Sequence, residues 1–124
     1  MPFVNYFPAV LLAFALTSHA AERMETGFLN RTLTLDGEVF RYQVYVPAEY
    51  AATNRWPVVL FLHGGGERGD DGLRQTDVGL GPAVRQKVTQ WPALIVFPQG
   101  RPAPRWNVQD AQVALEALRQ TEEE

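Results

Sequence analysis

From Glu38 to Val46 the chain alternates, with Phe40, Tyr42, Val44 and Val46 on one side and Val39, Arg41, Gln43 and Tyr45 on the other. A period of two predicts a strand with one better buried face. Thr32–Leu35 lies before it across Asp36-Gly37, a dipeptide suited to a two-residue turn whose central residues both take positive φ, so the two arms are expected to form a β-hairpin. Pro47 ends the second arm. The pattern then changes. Val58–Leu62, after Trp56-Pro57, and Ala93–Phe97, after Trp91-Pro92 and before Pro98, are continuously apolar. Such runs predict strands buried on both faces. Between them, Gly81-Pro82 opens Ala83–Val88, a short helix with proline in its first turn. Strand, helix and strand in this order predict a parallel crossover. A last helix starts at Asn107, a capping residue, with Asp110 at the positive end of the helix dipole. Val108, Ala111, Leu115 and Leu118 share a face at helical spacing, and that face is expected to point inward. The helix runs into Glu122, Glu123 and Glu124 with no Gly or Pro stop, which predicts an interrupted chain.

Ahead of these elements, Met1 to Ala20 holds no Asp, Glu, Lys or Arg. Phe7–Leu16 is an apolar core, and Ser18 and Ala20 are the small residues that a cut after Ala20 requires, so 1–20 resembles a secretory signal peptide. No Lys or Arg precedes the core, and an uncleaved anchor is the alternative, since such a stretch spans roughly 30 Å as a helix at about 1.5 Å per residue. Either way residues 21–124 are expected to be exported, periplasmic or extracellular. A membrane is a partner only if the segment stays uncleaved.

Composition narrows the chemistry. The 124 residues include no Cys, one Ser (Ser18) and two His (His19 and His63), so residues 21–124 carry one His, no Ser and no Cys. This excludes a Ser–His or Cys–His nucleophilic site within 21–124, any disulfide and any Cys-ligated metal. The net charge of −3 and the absence of a basic block remove the usual driving force for binding nucleic acid. No cofactor is expected.

The strongest local signal is Leu60-Phe61-Leu62-His63-Gly64-Gly65-Gly66-Glu67-Arg68-Gly69, an apolar strand running straight into glycines. Glycines permit a sharp exit and leave backbone N–H groups unobstructed. Such groups can point at a developing oxyanion. Gly64, Gly66 and Gly69 also match the spacing of a dinucleotide fingerprint, but Asp70, Asp71 and Gly72 follow, which neither open a helix nor welcome a pyrophosphate, and 84–90 lacks the ribose-binding acid. No Walker-type Gly-Lys-Ser/Thr is present.

Taken in order, Arg41–Pro47, Trp56–Gly69 and Pro92–Gly100 with Trp106 resemble the N-terminal half of an α/β-hydrolase. The similarity is to the secreted carboxylesterase or polyhydroxyalkanoate-depolymerase-like (phospholipase/carboxylesterase) branch. It covers Phe40 to about Leu118. The resemblance implies a three-layer α/β/α fold with an antiparallel hairpin, a parallel β-α-β unit and a helix, and strand order 1-2-4-3-5-6-7-8 for the whole sheet, of which this chain would supply 1-2-4-3. It implies an oxyanion loop at Gly64, Gly65 and Gly66, with His63 as a structural residue of the turn. It also implies a nucleophile strand ending in G-x-S-x-G, then an acid, then a His, none of them present, so the catalytic residues are expected beyond Glu124 and this chain is expected to be inactive alone. Residues 21–124, which by length suit one small domain, then become about half of a domain of some 200–250 residues. The substrate implied for the completed enzyme is a small ester. A prolyl-oligopeptidase-like peptidase is the alternative within the class, and a non-catalytic binding module or one half of a split hydrolase is the alternative outside it.

The other candidates have two readings each. Glu67, Arg68 and Gly69 are expected to be structural residues of the turn, with a substrate role as the rival. Asp70 and Asp71 beside Glu67 are expected to be solvated rather than to hold a metal, since hard cations want more oxygen ligands. Trp106 either lines a substrate cleft or covers the core. With the rest of the sheet lost, Val58–Leu62 would be an apolar edge strand open to a complementary C-terminal half or to self-association.

Overall fold

The computed structural model describes residues 24–124; the proposed signal peptide lies outside the described residues. Strand β1 (Gly27–Leu35) and strand β2 (Glu38–Val46) form an antiparallel hairpin in register from Leu35 opposite Glu38 to Gly27 opposite Val46. Asp36 and Gly37 both lie at positive φ, 51° and 80°, as a two-residue turn of this hand requires. β1 begins five residues earlier than the alternation suggests, because Phe28 packs on Tyr45 and Phe97 and extends the pairing.

β3 (Val58–Leu60) pairs parallel with β4 (Leu94–Pro98), and β4 pairs antiparallel with β2, giving the sheet order β1-β2-β4-β3. Helix α1 (Leu80–Gln86) lies between β3 and β4 in the chain, and helix α2 (Val108–Glu123) follows β4. The two helices cover opposite faces. On one side Val113 and Ala117 of α2 pack with Leu33, Phe40, Tyr42, Val44, Leu94 and Val96. On the other, Val84 of α1 packs with Tyr45, Ile95 and Phe97, with Phe61, Leu80 and Trp91 around them. This is the expected α/β/α layering, and the strand order is the expected one.

Three expectations are corrected. β2 is not one-faced: from Tyr42 onward both faces are buried, because β4 and β1 flank it and both helical layers reach it. Gln43 is buried there on hydrogen bonds to Asn30 (2.8 Å) and Thr76 (2.7 Å). β3 is shorter than Val58–Leu62 and is not buried on both faces; Val59 and Leu62 are exposed, since an edge strand has one neighbour.

The third correction concerns α2. Its packed face is Asp110, Val113, Ala114, Ala117 and Thr121, while Val108, Ala111 and Leu115 are exposed and Leu118 is half-buried. Polar anchors set this rotation. Asp110 is fixed to Arg68 at 3.0 Å, and Gln120 and Glu124 reach Thr32 and Arg31 on β1. The start of the helix is as expected: the Asn107 side chain accepts from the Asp110 amide (2.9 Å) and the Asp110 carboxylate accepts from the Asn107 amide (3.1 Å), a reciprocal capping box.

Candidate functional site

The glycine-rich loop leaves β3 at its C-terminal end, and the buried His63 fixes the exit. Nε2 of His63 accepts from the Gly100 amide at 2.9 Å, so the proton sits on Nδ1, which donates to the Gly64 carbonyl at 2.6 Å. With both ring nitrogens occupied, His63 is a brace rather than a base. Trp106 completes the brace: its indole N–H donates to the His63 carbonyl at 3.0 Å and its ring lies 4.8 Å from the imidazole. Half-buried, with its one donor directed at the loop, Trp106 covers the core at this corner.

Gly64, Gly65 and Gly66 are exposed, and Gly65–Glu67 forms a single 3-10 turn. Among the described residues the Gly65 and Gly66 amides meet no backbone acceptor, and a Cβ at either would find open space. The loop thus presents free donors outward over a rigid base. That arrangement can hold an oxyanion.

Glu67, Arg68 and Gly69 tie the loop down. Arg68 is buried, donating to the Asp110 carboxylate (3.0 Å) and the Arg101 carbonyl (2.8 Å), with Trp106 stacked 5.4 Å from its guanidinium. Gly69 donates to the Gly100 carbonyl at 2.9 Å, and a Cβ there would press on Gln99. The Glu67 carbonyl accepts from Gln99 at 3.2 Å.

Gln99 and Gly100 were not singled out by sequence reasoning, yet they organise this corner. Buried Gln99 also bonds the Asp71 carboxylate (2.9 Å) and accepts from the Gly72 amide (2.6 Å). Gly100 has no room for a side chain: a Cβ would lie 2.9 Å from Arg68 and 3.4 Å from Asp110. The available signal was a polar Gln-Gly pair closing an otherwise apolar strand. Asp71 is occupied as well. Its Oδ1 accepts from the Leu73 amide (2.9 Å), the Arg74 amide (3.2 Å) and Gln99, and the Leu73 bond leads the causes that lower its pKa below the usual aspartate value. Among the described residues no group of three or more His, Cys, Asp or Glu is placed to hold a metal, and no helix is long and apolar enough to cross a membrane.

No family model matches the chain, and no curated protein does. Among solved structures it is similar to a thermostable esterase, with a TM-score of 0.60 and 24% identity. The likeness takes in 78% of this chain and 30% of that one, so the chain spans less than a third of the esterase's length. What the likeness shows is the fold: a mixed sheet with helices on both faces, as in the N-terminal half of an α/β-hydrolase.

Proposed function

We propose that this chain is the oxyanion-loop half of an exported carboxylic-ester hydrolase, with residues 1–20 as its signal peptide. The observation that carries the reading is the pair of amides at Gly65 and Gly66 that meet no acceptor among the described residues, on a loop held at either side by His63 and Arg68. The esterase fold of the structural neighbour supports it. In the completed enzyme a serine would attack the ester carbonyl, a histidine paired with an acid would take the serine proton, and the loop amides would hold the tetrahedral oxygen. Those three side chains belong to polypeptide beyond the described half, since 21–124 contains neither Ser nor Cys and His63 has both nitrogens committed. Alone, the chain does not turn over esters.

Two assays test this. The purified chain should leave a short-chain aryl ester intact; turnover abolished by a serine-directed phosphonate would contradict the proposal. In a complemented enzyme bearing G-x-S-x-G, Gly65→Pro removes one amide at the first position of the turn, where proline is tolerated. The expected result is a fall in kcat of about 10²–10³ with KM little changed. An unchanged kcat for Gly65→Pro, with the same amide at Gly66 also dispensable, would remove the loop from the chemistry.

A further inference from the structure

The face of α2 turned away from the sheet carries an apolar seam. At about 100° per residue, Val108, Leu115 and Glu122 fall within an arc of about 40°, opposite Val113 and Ala117, which pack on the sheet. Ala111 and Leu118 line one side of that arc. Val108 and Leu115 are 76% and 61% exposed, Ala111 is exposed and Leu118 is half-buried. The stripe expected to point inward therefore lies mostly on the solvent side. Its positions 108, 111, 115 and 118 are spaced by three, four and three residues, the a and d pattern of a helix seam that packs on another helix.

Charge indicates which helix that is. Arg119 pairs with Glu116 and Glu123, and Glu124 pairs with Arg31. Among the described residues, Arg105 just before the Asn107 cap and Glu122 near the other end have no ion-pair partner, and both are exposed. One free cation and one free carboxylate thus bracket the apolar seam.

We propose that α2 docks on α2 of a second copy of this chain, antiparallel about a twofold axis at the level of Val113. In that register Val108 faces the second copy's Leu118 and Ala111 faces its Leu115, and each contact occurs twice. Large residues meet smaller ones. The small Ala111 lets the helix axes approach to about 8–10 Å, the separation of packed helices. Glu122 of each copy then lies just beyond Asn107 of the other, beside Arg105 and at the positive end of the helix dipole. A parallel pair would set Glu122 against Glu122 and Arg105 against Arg105. The seam is self-complementary in size and in charge only when the two copies run in opposite directions. This contact needs neither ester chemistry nor the β3 edge, so it can fail while the proposed function stands, and the reverse.

Four apolar residues a side make a small interface, so the dimer is expected to be weak and to form as concentration rises. Sedimentation velocity of the full chain should show monomer passing to dimer below about 1 mM. Leu115→Glu, at a position exposed in the monomer, should leave the helical circular dichroism unchanged and raise the dissociation constant about tenfold or more, because the pair would bury an uncompensated carboxylate. The chain has no Cys, so introduced cysteines report the register. With Ala111→Cys and Leu115→Cys chains mixed in equal amounts, mild oxidation should give chiefly the mixed disulfide pair. A monomer throughout the concentration range, association indifferent to Leu115→Glu, or cross-linking no richer in the mixed pair than random pairing gives would overturn the proposal.

Discussion

His63 and Gly100 are joined across the sheet by a 2.9 Å hydrogen bond from the Gly100 amide to the imidazole Nε2, 37 positions apart in the chain. This one contact couples the exits of β3 and β4, so the loop after each strand depends on the other. His63→Ala leaves the Gly100 amide without its acceptor and the Trp106 ring without its neighbour. The expected loss is about 2–4 kcal/mol in urea unfolding. A change below about 0.5 kcal/mol would mean that the bond does not constrain the loop.

Arg68 and Asp110 form a buried pair, and two of the guanidinium nitrogens, Nε and Nη2, meet no hydrogen-bond partner among the described residues. Asp110→Ala strands the charge of Arg68 and removes half of the α2 capping box, for an expected loss of about 3–5 kcal/mol. The double variant Arg68→Met with Asp110→Asn keeps an acceptor for the cap and buries no charge. It should lose less than either single variant, as a double-mutant cycle would show.

Gly81 has no room for a methyl group: a Cβ would sit 2.2 Å from the Thr76 carbonyl oxygen. Gly81→Ala is expected to cost about 3 kcal/mol and to loosen α1, with the near-ultraviolet dichroism of its aromatic neighbours reduced. Gly65→Ala and Gly66→Ala meet open space and should stay within about 0.5 kcal/mol of the parent. Equal losses at all three would show the loop to be packed rather than open.

Burial raises the pKa of Tyr42 and, with Glu49 adding to it, that of Tyr45. A raised folded pKa means the native state holds its protons when the unfolded chain has begun to release them, so stability falls with rising pH above about 10. Asp71 has the opposite sign. Its lowered pKa stabilises the fold above the ordinary aspartate value and is lost as the pH drops below it. Phenolate absorbance should therefore report two late tyrosines whose ionisation coincides with unfolding. Ionisation of both below pH 10 with the fold intact would refute the assignment.

The hairpin, the two parallel strands and both helices were legible because each rests on local chemistry: the Asp36-Gly37 turn, the apolar runs and the Asn107–Asp110 cap. The face of α2 was not. Its apolar stripe at Val108, Ala111 and Leu115 carries the stronger periodic signal, yet the Arg68–Asp110 pair and the β1 contacts of Gln120 and Glu124 decide the rotation. Such anchors depend on partners dozens of residues away, which periodicity does not encode. The loop at Gly64–Gly66 was legible from its glycines, whereas Gln99 and Gly100 were not, since their role exists only once β4 lies beside β3.

The placement of β4 between β2 and β3 also sets an order in time. The hairpin can close as soon as Val46 is made, because its turn is two residues long. β3 has no such option: its partner for Val58 is Leu94, so the strand must wait, apolar and unpaired, while the intervening loop and α1 are synthesised. Closing that interval is a non-local event, slow relative to hairpin formation. The arrival of β4 is therefore the step at which hairpin and edge strand become one sheet, and the period before it is when the chain most needs protection from its neighbours.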